Sequence, residues 1–167
     1  MTEITVRPAR KGDGGAVARM ALENSSYYVR LAPDDFRIPD EDGLADFIDS
    51  GAESVAEDEI ALVAEVDGEV AGYLEARLLL PMETARWQGQ PDLGKVRLYI
   101  NVVETAPAFQ RRGAATSLVQ AAEEWGRSRG ASVAVCDTWV ESPVSIPFWE
   151  RRMGYRRRAV TFRKPLV

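Results

Sequence analysis

Apolar and polar positions alternate along this chain in two rhythms. Over residues 2–8, Ile4 and Val6 take turns with Thr5 and Arg7, the period-two pattern of a first strand. The period then lengthens. Val17, Met20, Ala21, Asn24, Tyr28 and Leu31 share one helical face behind the turn Gly12-Asp13-Gly14-Gly15, with Asp13 as N-cap. Pro33 and Pro39 bracket an acidic loop, and a short helix follows with Leu44, Phe47 and Ile48 inward and Gly51 near its end. Residues 60–66 and 70–80 read as strands joined through Asp67-Gly68, a strong two-residue hairpin signal. Pro81 stops the second strand. Residues 82–94 form a loop whose length in a compact domain marks it as functional. Residues 95–105 are a central strand. Residues 114–129 are a helix with Leu118, Ala121, Ala122 and Trp125 inward, stopped by Gly130. A strand over 131–140, a short helix over 145–153 and a last strand over 155–164 complete the order. Hairpins make the first half antiparallel, and the helix over 114–129 crosses between two parallel strands.

Composition narrows the chemistry. The chain has 167 residues, 46% hydrophobic and 28% charged, which fits one globular domain over residues 1–167. Histidine is absent and Cys136 is the sole cysteine. Ser-His-Asp and Cys-His chemistry, histidine-metal sites, multi-cysteine zinc clusters and an internal disulfide are therefore excluded, and no metal is expected. A general base must be a carboxylate, a tyrosine, a lysine or a relayed water. Cys136 reads as a buried structural thiol, with no histidine to activate it. Residues 1–8 lack the apolar stretch of a signal peptide, and no run is long enough for a membrane span, so the expected setting is cytoplasmic, with no membrane partner. A net charge of −5 argues against nucleic acid. That charge is uneven: residues 34–59 carry eleven acids and one base, Arg37, whereas residues 151–164 carry seven bases and no acid.

One stretch carries a binding signal. Residues 102–116 run from an apolar strand through Gln110-Arg111-Arg112-Gly113 into a helix that opens Ala114-Ala115-Thr116. The first amides of a helix have no partners within it and lie at its positive end, and glycine and alanine allow close approach, so the junction is a candidate anion site.

Pro107-x-x-Gln110-x-x-Gly113-x-Ala115 resembles the acetyl-CoA signature of the GNAT acetyltransferase superfamily, placed between the fourth strand and third helix. Phe148-Trp149-Glu150-Arg151-Arg152-Met153-Gly154-Tyr155 resembles the family's later Phe-Tyr-Glu-x-Leu-Gly-Phe segment, and Val6-Arg7-Pro8-Ala9 its opening. The resemblance implies an α/β GNAT fold: a central mixed, mostly antiparallel sheet, splayed between strands 4 and 5 by a local bulge, with about four flanking helices. It implies acetyl-CoA as co-substrate and direct attack by a primary amine of a small molecule or peptide. The backbone of Val103, Glu104 and Thr105 would pair with pantetheine and supply the oxyanion donor. Gln110, Arg111, Arg112, Gly113, Ala114, Ala115 and Thr116 would surround the diphosphate. Ser142 and Trp149 would stand where the family often has asparagine and tyrosine, and Trp149 has no acidic O–H to protonate the thiolate. Glu104, Glu75 and Tyr99 are the candidate bases. Tyr27, Tyr28, Phe36 and Trp87 lie in segments 24–40 and 81–94, where the resemblance puts the acceptor pocket. A homodimer is compatible with the resemblance. The competing reading is a non-catalytic acyl-CoA binding or sensing domain.

Overall fold

In the computed structural model, which describes residues 3–166, the chain divides into two compact units, Met1–Cys136 and Asp137–Val167. In the first, strands β1 (Ile4–Pro8), β2 (Glu59–Val66), β3 (Glu69–Leu79), β4 (Arg97–Thr105) and β5 (Val133–Cys136) lie side by side in sequence order. The first three ladders are antiparallel and β4–β5 is parallel, so the sheet is the mixed one expected for a GNAT fold. Helices α1 (Gly14–Leu31) and α2 (Leu44–Glu53) belong to one face of this sheet, and α3 (Ala114–Ser128) to the other.

The two faces follow from strand alternation. A Cβ built on Gly72 would stand 2.9 Å from Leu118 and 3.5 Å from Ala114, so that position faces α3 and tolerates no side chain. Its neighbour Tyr73 points the other way, packed with Val17 and Met20 of α1 and with Ala61 and Val63 of β2. The Asp67-Gly68 turn has both residues at positive φ, 52° and 85°, the mirror-image turn whose twist suits a hairpin.

Asp13 precedes α1 but does not cap it with its side chain. Its carboxylate takes Arg7 at 2.8 Å, which holds the Asp13 carboxyl below its ordinary range. The cap comes from α2 instead: Asp49 Oδ1 accepts the N–H groups of Gly12 at 3.0 Å and Gly14 at 2.8 Å. Phe47, expected inward, is 76% exposed, whereas Ile48 reaches the core. The long loop holds two 3-10 turns, Ala85–Trp87 and Pro91–Gly94.

In the second unit, α4 (Ser145–Pro147) runs into a wider π turn, Phe148–Arg152. The segment has one residue more before Gly154 than Phe-Tyr-Glu-x-Leu-Gly-Phe, and the π turn absorbs it, where Met153 N–H reaches Phe148 O at 3.0 Å. The strand expected over 155–164 does not form. These residues pair with no strand, and Arg157 turns back to Glu150 at 2.5 Å. Five basic residues in ten leave little apolar surface on which a strand could settle. Among the described residues no helix is long and apolar enough to cross a membrane.

Candidate active site

The site begins where β4 leaves β5. Their ladder covers only Arg97–Ile100 against Val133–Cys136. At that point the pairing of β4 with β3 shifts: Ala76 faces Ile100 and Glu75 faces Val102, so Asn101 is the extra residue of a bulge. The bulge thus lies nearer the start of β4 than residues 103–105, where the resemblance puts it. Beyond it, residues 101–105 have no ladder partner on the β5 side among the described residues. Ala106 N–H donates to Ala71 O at 2.9 Å, toward β3. By strand alternation the backbone of Glu104 also faces β3, while the N–H and C=O groups of Val103 and Thr105 face the open side. The backbone of Glu104 is therefore not aligned with the other two.

The turn after β4 is built by backbone conformation. Arg111 has φ 63° and Gly113 φ 100°, both left-handed. For arginine this costs about 1–2 kcal/mol, strain of the kind held at functional sites. The first ladder bond of α3 is Ser117 N–H to Gly113 O, 3.0 Å, so the amides of Ala114, Ala115 and Thr116 precede the ladder at the positive helix end. Arg112 is drawn aside: it pairs with Asp67 at 2.6 Å and lies 5.3 Å from the Phe109 ring. Gln110 follows the 3-10 turn Pro107–Phe109 on the exposed surface.

On the α1/α2 face, β3 and β4 bring three polar groups together. Tyr73 and Glu104 are cross-strand partners, and Tyr73 O–H donates to Glu75 at 2.6 Å. Burial pushes the Glu104 carboxyl up to about 7; a hydrogen bond from Asn24 opposes this, and the charge of Glu75 adds to it. Its Oε2 is buried with no partner. Burial, then the hydrogen bond to Glu75, raises the Tyr73 phenol far above its ordinary value. Tyr99 stands lower on the same face, with the Arg77 guanidinium 5.5 Å from its ring. Glu75 and Tyr73 line a half-open cavity of about 220 Å³, together with Ser54, Glu59, Arg77 and Asn101.

Sequence reading missed Tyr73, Asn24 and Asn101. Tyr73 reads as core by period, and its polar neighbours are Glu75, two residues along the same strand, and Glu104, set opposite it by register. The cavity draws nothing from segments 24–40 or 81–94. Tyr28 instead packs on Tyr27 and Phe36, with ring centres 5.4 and 5.0 Å apart, and Trp87 lies exposed beneath Arg86. In the second unit Ser142 is buried, and its Oγ accepts the Ser145 N–H at 3.0 Å. Trp149 is buried between the rings of Phe148 and Tyr155, at 5.1 and 4.8 Å. Cys136 closes β5 as a partly buried thiol that forms no disulfide. Among the described residues, no group of three or more cysteines and acids is placed to hold a metal ion.

Solved structures share this architecture. A transcriptional regulator from Bacillus halodurans C-125 aligns over 98% of this chain and 100% of its own, with TM-score 0.74 and 21% identity. A mutant of the BH1408 protein from Bacillus halodurans aligns over 98% and 99%, with TM-score 0.82 and 17% identity. The aminoglycoside N-acetyltransferase AAC(6')-Iy in complex with CoA aligns over 99% and 97%, with TM-score 0.65 and 18% identity. At these identities the likeness establishes the fold alone. No curated protein matches the sequence. The model of the acetyltransferase (GNAT) family matches residues 20–155, from α1 through the π turn to Tyr155. The chain belongs to the acetyltransferase (GNAT) family and is an acyltransferase.

Proposed function

We propose that the protein transfers an acetyl group from acetyl-CoA to a primary amine by direct attack. The observation that carries this reading is the open side of β4. An extended chain lying there could pair with the backbone of Val103 and Thr105 as an added strand would. It would lead to the amides of Ala114, Ala115 and Thr116 and to Arg111, a setting suited to a diphosphate. AAC(6')-Iy has been solved as a complex with CoA, which supports a donor of this type. An N–H on that open side would also face the thioester oxygen as charge builds on it.

The acceptor enters from the opposite face, through the cavity at Glu75. Its ammonium gives a proton to the Glu75–Glu104 pair, and Glu104, which titrates near neutrality, is suited to exchange it. The free amine attacks the carbonyl carbon; a C–N bond forms and the C–S bond breaks. The amide nitrogen sheds its second proton and the thiolate takes one up. Thiols ionise near pH 8.5, so this leaving group needs no strong acid, and a residue without an acidic O–H at position 149 is compatible with turnover. Holding both reactants in line supplies much of the acceleration.

The reading predicts release of free thiol from acetyl-CoA when amines are supplied. The panel spans polyamines, amino acids, aminoglycosides and peptides. Tight CoA binding without acetylation of any member would leave the non-catalytic, acyl-CoA-sensing role.

A further inference from the structure

We propose that the acceptor is a zwitterion, an amine carrying a carboxylate or similar anion a few bonds away, and that Arg77 holds that anion. The inference rests on the cavity at Glu75 being the acceptor site.

The cavity offers two unlike ends. At one, Glu75 is fixed by Tyr73 O–H at 2.6 Å and is suited to an ammonium. At the other stands Arg77, two residues along the same face of β3, or about 7 Å by strand geometry. Strand register sets Arg77 directly opposite Glu59 of β2, where an ion pair would ordinarily form. It does not. Among the described residues no carboxylate lies within ion-pair distance of Arg77, and Glu59 instead faces the Ala56 N–H at 3.5 Å. What holds Arg77 is the Tyr99 ring, which steadies a guanidinium while leaving its N–H fork unspent. A second guanidinium lies on that face: Arg97, two residues before Tyr99 on β4, has its Nε buried with no hydrogen-bond partner. Asn101, pushed out by the bulge, also lines the cavity.

A polycationic acceptor would leave this arrangement poorly used. Its further ammonium groups would meet Arg77. The eleven acids of residues 34–59 do not offset that locally, because only Glu59 among them lines the cavity. A zwitterion satisfies both ends: ammonium on Glu75, and anion in a two-pronged contact with Arg77.

The test compares α-, β- and γ-amino acids with matched amines lacking the carboxylate, and with spermidine and neamine, by thiol release from acetyl-CoA. Calorimetric titration of the same compounds into CoA-loaded protein runs alongside. At least one amino acid should exceed its matched amine tenfold or more in kcat/KM. Arg77→Gln should close most of that gap by raising KM for the amino acid far more than for the matched plain amine. Arg77→Lys should restore part of it. The inference is overturned if spermidine or neamine is preferred, if Arg77→Gln weakens both sets alike, or if no zwitterion binds the CoA-loaded protein. Should zwitterions bind in an Arg77-dependent way while nothing is acetylated, the subsite stands and the acetyl-transfer reading falls.

Discussion

Glutamate in place of Gly113 should lower the affinity for CoA by about 100-fold or more while the protein still folds. Two effects combine. Position 113 has φ 100°, and any Cβ there would lie 3.1 Å from Ile4 Cδ1. The left-handed backbone costs a side chain about 1–2 kcal/mol, which the sheet can bear. The larger effect is electrostatic: a carboxylate before the first amides of α3 would occupy and repel where the diphosphate should sit. Gly113→Ala carries the strain without the charge and separates the two. Calorimetric titration with CoA, beside thermal unfolding of each variant, gives the answer. A folded Gly113→Glu protein with unchanged CoA affinity would place the diphosphate elsewhere.

Replacing Glu104 with glutamine should trade activity for stability. Burial raises the folded-state carboxyl from 4.5 to about 7. Between those pH values the unfolded chain releases the proton more readily than the folded one. Stability of the wild type should therefore fall as pH rises from about 4.5 to 7 and level off above, an effect on the order of 3 kcal/mol. Glutamine has no such proton, can keep its contact with Asn24, and should make the protein more stable than wild type at pH 8. In the same variant, acetylation should drop about 100-fold and lose the rise through pH 7 expected of the wild type. Urea unfolding at pH 5 and 8, with rates over the same range, checks both halves. A wild type that gains stability between pH 5 and 7 would contradict a carboxyl held neutral by burial.

Much of the fold was legible because its signals are local. Asp67-Gly68 needs a mirror-image turn, Gly113 and Gly130 mark the ends of α3, and alternation in β2 and β3 assigns their faces. The strand, turn and helix start on which the proposed donor side rests were legible for the same reason, being contiguous in residues 102–116. The proposed acceptor side was not. Glu104 joins Tyr73 and Glu75 only through the register between β3 and β4, and the bulge at Asn101 in that ladder is one that no residue type announces. The second half of the strand expected over 155–164 offers only Val160 and Phe162 as apolar positions. Exposed and flanked by arginines, those two side chains bury too little to order it.

The bulge at Asn101 has a further consequence for how this protein can vary. The groups it uncovers at Val103 and Thr105 belong to the main chain, and their pairing capacity does not depend on the side chains they carry. Recognition of this kind is largely indifferent to substitution. Valine to isoleucine or threonine to serine should pass almost unnoticed, whereas proline at 103 would delete the N–H itself. Drift in the letters of β4 and the upkeep of the edge proposed to bind the donor are thus separate matters.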